Sequence, residues 1–158
     1  MTQVHSFRAS DFLAERRVAI LDVALSDLDR RRVRHYESGG AEETKLRLER
    51  LYDALLHAAA KRDLGEIIAY AERVATERYR SGFGLSEVQT AFNVLEESIW
   101  ACVFAELDPS AHAEALSVVS TILGSAKDAL ARRYVELATR THVPAVDLTA
   151  LLAGTERS

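Results

Sequence analysis

The feature that most restricts this chain is how seldom it interrupts itself: 7 glycines and 2 prolines serve 158 residues, and most stand at joints between stretches of helical periodicity. Either residue is costly inside a regular element, so long stretches without them favour long elements. Within those stretches apolar residues recur three and four apart, the spacing that buries one side of a helix. None alternates with the period of two that a half-buried strand requires. The expected fold class is all-α.

The spacing predicts about five helices. The first runs from Ser10, as N-cap, to about Glu37, burying Leu13, Ile20, Leu21, Ala24, Leu25 and Leu28 before Ser38-Gly39-Gly40 stops it. A second starts near Glu42 and Glu43 and reaches about Lys61, with Leu48, Leu51, Tyr52, Leu55 and Ala59 inward. The third opens at Asp63-Leu64-Gly65-Glu66, a capping-box pattern, and continues to Gly82 and Gly84. The fourth opens at Ser86-Glu87-Val88-Gln89 and carries Phe92, Trp100 and Phe104 toward a core. Asp108-Pro109 starts a fifth that runs to about Thr141, and a short amphipathic piece, Asp147 to Ala153, follows Pro144. Short connections favour antiparallel neighbours, hence an up-and-down bundle or a globin-like variant. Residues 1–142 are expected to form the bundle, and 143–158 a C-terminal extension.

Charge and cysteine content narrow the partners. With 24 acidic against 20 basic residues the net charge is −4, which does not favour nucleic acid. Arg30, Arg31, Arg32 and Arg34 form a basic cluster, but Asp27, Asp29 and Glu37 neutralise it, and cations suit a helix C-terminus. Cys102 is the only cysteine, so an intramolecular disulfide and a multi-thiolate zinc site are excluded. No stretch of about 18 apolar residues runs uninterrupted, so no membrane span is expected, and the chain reads as cytoplasmic.

Catalytic patterns are missing. Ser81-Gly82-Phe83-Gly84 offers glycines without the lysine or the preceding strand of a phosphate loop, and reads as a turn between helices. His5, His35, His57, His112 and His142 are scattered, and no Glu-x-x-His or His-Glu-x-x-His motif holds a metal. Cys102, between Ala101 and Val103, reads as a small core residue. His57 has one functional alternative. Leu56-His57-Ala58-Ala59-Ala60-Lys61 partly resembles the phosphate-accepting helix of histidine phosphotransfer domains, though the lysine comes four residues later instead of three, and Arg62 stands where that family has glycine.

Residues 51–56 (Leu-Tyr-Asp-Ala-Leu-Leu), Lys61-Arg62-Asp63 and the run from Tyr79 to Val88 together resemble the RsbRD-type N-terminal sensory domain of RsbT co-antagonist proteins, part of the bacterial stress-signalling apparatus. The resemblance implies a cytoplasmic signal-input module, usually dimeric, with a helical core that in some relatives is like a globin without haem. It brings no catalytic residue and no cofactor. Most members continue into an effector domain, so a stand-alone partner-binding protein and a piece of a longer one both stay open.

The expected function is therefore regulation, by binding a small ligand or a signalling partner and forming a homodimer, without catalysis. A signal pocket is expected where large side chains meet chain breaks, near Arg78, Tyr79, Phe83, Phe92 and Trp100. Phosphotransfer through His57 and a haem-binding globin-like sensor are the alternatives.

Overall fold

A computed structural model describes residues 7–32 and 40–142. The expected piece Asp147 to Ala153, the extension 143–158 and the stop at Ser38-Gly39 lie outside the described residues. Those described form six helices and no strand: α1 (Ala9–Glu15), α2 (Arg17–Arg32), α3 (Ala41–Lys61), α4 (Gly65–Arg80), α5 (Leu85–Glu106) and α6 (Pro109–His142).

Ion pairs and hydrogen bonds fix the directions. Arg17 meets Asp53, so the start of α2 lies beside the latter half of α3. Tyr70 reaches the Arg47 carbonyl while His57 meets Glu66, which sets α3 and α4 antiparallel. Arg16 meets Glu106 and Arg31 meets Glu97, so α2 and α5 also run oppositely. Helix α6 packs against α1, α3, α4 and α5. The result is an up-and-down helical bundle.

The apolar stripes meet as their spacing requires. Leu13, Ile20, Leu55, Ile67, Leu95 and Leu123 are all at most 1% exposed. Burying one such side chain contributes roughly 1.5–3 kcal/mol before the entropy of ordering it is counted. The aromatic expectation for α5 needs correction. Phe92 is buried, but Trp100 is 39% and Phe104 56% exposed, the Phe104 ring meeting α6 through an edge-on contact with His112 at 5.0 Å.

The expected first helix is two. Tyr52, buried on α3, donates its hydroxyl to the Leu13 carbonyl at 2.7 Å. In an uninterrupted helix that carbonyl would accept from the Arg17 amide. A side chain inserted into the ladder is a recognised cause of a sharp break. Arg16 sits at the joint with φ −99° and ψ 7°, and Arg17 is clamped by both Asp53 oxygens at 2.8 and 3.1 Å.

Three caps also differ in detail. Helix α1 starts at Ala9 with Arg8 before it, not with Ser10 as its cap. Asp63 accepts the Gly65 amide at 2.8 Å as expected, but Glu66 turns to His57 instead of back to the cap. At α5 the cap position is Gly84, whose amide donates to Glu87 at 3.3 Å, one residue pair earlier than Ser86 and Gln89. Asp108 behaves as read, accepting the Ser110 amide at 2.9 Å at the start of α6.

Candidate functional site

Where α2 and α4 finish and α3 and α5 begin, four helices line a half-open cavity of about 250 Å³. An apolar cavity of about 150 Å³ admits benzene, so this one has room for a small organic molecule. Helical spacing builds its walls. Thr44, Leu48 and Leu51 face it from α3, Tyr70, Val74 and Arg78 from α4, and Val88, Ala91 and Phe92 from α5, while Leu28 and Arg31 come from α2. Arg47, Phe83, Glu87 and Thr90 complete it.

The turn after α4 places Phe83. Gly82 adopts φ +82°, its amide donates to the Tyr79 carbonyl, and the Phe83 amide donates to the Arg78 carbonyl, both at 3.0 Å. This paired closure requires a left-handed residue, which glycine supplies without a Cβ clash, and it brings the residue beyond the glycine onto the helix's last turn. Accordingly the Arg78 guanidinium carbon lies 3.5 Å from the Phe83 ring centroid. Such a cation–π contact is worth about 0.5–2 kcal/mol, depending on desolvation. The Phe83 carbonyl in turn accepts from the Tyr134 hydroxyl of α6 at 3.1 Å, and Tyr79 meets the Tyr134 ring edge-on at 5.7 Å.

Two polar groups stand out on these apolar walls. Tyr70 donates to the Arg47 carbonyl at 2.9 Å, and burial pushes its ionisation up to about 12. Thr44 is 8% exposed, and its hydroxyl has no hydrogen-bond partner among the described residues. A buried hydroxyl left that way costs roughly 1–3 kcal/mol, so its presence calls for an explanation.

Of the five residues expected at a pocket, the structure brings together Arg78, Phe83 and Phe92. Tyr79 is half-buried against Tyr134 and does not line the cavity, and Trp100 lies on the exposed side of α5. Sequence reasoning missed Thr44, Leu28, Arg31, Arg47 and Tyr70. Thr44 had a readable signal, for it is in phase with the stripe Leu48, Leu51 and Leu55, a polar residue where an apolar one is expected.

The other candidates sit elsewhere. His57 is exposed, with Nε2 3.1 Å from a Glu66 carboxylate oxygen, a neighbour that would repel an incoming phosphoryl group. It borders a broader groove of about 610 Å³ whose lining mixes Arg50, Arg73, Glu66 and Glu77. Cys102 is half-buried, its thiol donates to Glu106 at 3.0 Å, and burial followed by that carboxylate pushes its ionisation up to about 12. A thiol held protonated is a poor nucleophile near neutral pH. Arg30 and Arg31 pair with Asp27, which satisfies part of the basic cluster, while Arg34 lies outside the described residues. Among the described residues no three His, Cys, Asp or Glu side chains gather as a metal site, and no helix is long and apolar enough to cross a membrane.

No curated protein and no solved structure matches the chain. The sequence model of the RsbT co-antagonist protein rsbRD N-terminal domain matches residues 13–154, and the chain belongs to that family.

Proposed function

We propose that this domain is a signal-input element of a stress-signalling system, which binds a small molecule in the cavity between α2 and α5 and passes the change to a protein partner or a second copy. The cavity carries the reading, because it joins an apolar lining to a few polar groups, the usual make-up of a ligand site. Among its described wall residues there is no histidine, cysteine or methionine, and burial keeps Tyr70 protonated. Such a wall offers iron no strong axial ligand, which supports a globin-like bundle working without haem.

Transmission has a physical route. Phe83 belongs to the cavity wall, and its carbonyl is tied to Tyr134 near the far end of α6. A ligand that displaces Phe83 would pull on α6. For self-association, Trp100 and Phe104 lie one turn apart on α5, both exposed although Phe104 touches His112 of α6, and offer an aromatic anchor. A Trp100→Glu, Phe104→Glu variant is expected to sediment as a monomer where the unmodified protein sediments as a dimer.

The cavity is tested by amide chemical shifts during titration with toluene, beside a Val74→Phe variant that fills the space. Shifts centred on Thr44, Leu48, Val74 and Val88, and lost in the variant, are expected. Shifts scattered over the surface, or unchanged by Val74→Phe, would overturn the assignment.

A further inference from the structure

We infer that the ligand of this cavity is a small monocarboxylic acid with an apolar body, its carboxylate taken by Arg31, Arg47 and Thr44. The inference rests on the reading of the cavity as a ligand site and goes on to name the chemistry. Three arginines line the cavity against a single glutamate, and that glutamate already caps α5 through the Gly84 amide. Cations therefore predominate among the charged groups of the wall.

The arginines are held but not spent. Arg47 pairs with Glu43, and Arg31 with Glu97 and Asp27, at 3.0, 3.1 and 3.6 Å. None of these acids lines the cavity. Both arginines are partly exposed, and ion pairs of that kind are weak, so a carboxylate arriving in the cavity can replace or join the present partners at little cost. Guanidinium groups match a carboxylate through two parallel hydrogen bonds, which an amide or alcohol cannot return.

Thr44 supplies the independent observation. It stands three residues before Arg47 on α3, a spacing that puts both on one side of the helix, and both line the cavity. Its hydroxyl, nine-tenths buried and without a partner among the described residues, is a donor that a carboxylate oxygen would satisfy. The other two charged groups on the wall are already engaged, Arg78 over the Phe83 ring and Glu87 with the Gly84 amide, and Leu48, Leu51, Val74 and Phe92 offer apolar surface to a hydrocarbon chain or one ring.

The test titrates the full chain with octanoate, octanamide and 1-octanol by calorimetry, with 4-phenylbutyrate for ring against chain. Octanoate is expected to bind about tenfold or more tightly than the two neutral probes, as a charge-assisted hydrogen bond implies. An Arg31→Gln, Arg47→Gln variant should erase that preference and leave the weaker neutral binding intact. Thr44→Val should weaken octanoate, whereas Arg50→Gln, outside the cavity on the same helix, should not. Equal binding of acid, amide and alcohol, insensitive to the arginines, would overturn the acid and leave the cavity standing. Failure of all four probes, together with no effect of toluene, would remove the ligand site itself.

Discussion

Single side chains decide more here than their number suggests. The Tyr52 hydroxyl, taking the Leu13 carbonyl from the helix ladder, sets the break between α1 and α2. Replacing Tyr52 by Phe leaves that carbonyl without its donor and is expected to cost about 1–3 kcal/mol in urea denaturation. It should also let the joint straighten, read as altered amide shifts from Arg16 to Val18. No reading of the first 32 residues alone could find this break, since its cause lies 39 positions along the chain. Thr44 was missed for a related reason. Its phase with Leu48 and Leu51 was visible, but only the assembled helices show that none of the described residues answers its hydroxyl.

The helices themselves were readable because amphipathic spacing is a local property. The stripe expected for α3 is buried at Leu48, Leu51, Tyr52 and Leu55, whereas cap positions slipped by one or two residues where several short polar side chains compete. Asp108 is the cap that was read correctly, and it carries a pH consequence. Hydrogen bonds from the Ser110 amide and then its hydroxyl hold this carboxyl below its ordinary value of 3.8. A depressed acid contributes stability above its unfolded value and loses it as pH falls through the folded one. The difference in melting temperature between the protein and an Asp108→Ala variant should therefore be full near neutral pH and fade in acid, from about the ordinary carboxylate value downward. Helix α3 ends on a less favourable choice. Arg62 adopts φ 53° and ψ 42°, a left-handed conformation that costs a residue with a Cβ. Arg62→Gly is expected to raise stability by about 0.5–1 kcal/mol, measurable by chemical denaturation.

At the scale of the molecule, the bundle was legible and its cavity only in part. Arg78, Phe83 and Phe92, expected there because chain breaks and large side chains mark a turn, line the cavity, while Tyr70 and Leu28 reach the same space by tertiary packing. The link from cavity to α6 makes a separable prediction. Tyr134→Phe should leave probe binding at the cavity intact and abolish the accompanying shifts at Leu137 to Arg140, since the hydroxyl to Phe83 is gone. Shifts that persist there would mean that α6 hears of binding by another route. Helix α6 counts 34 residues, a rod of about 50 Å at the α-helical rise, and four of the other helices lean on it. Such a shared spine does not yield a little at a time, because sliding it disturbs several packed seams together. Whatever message this domain sends should leave it as a step from one arrangement to another and not as a gradual slope.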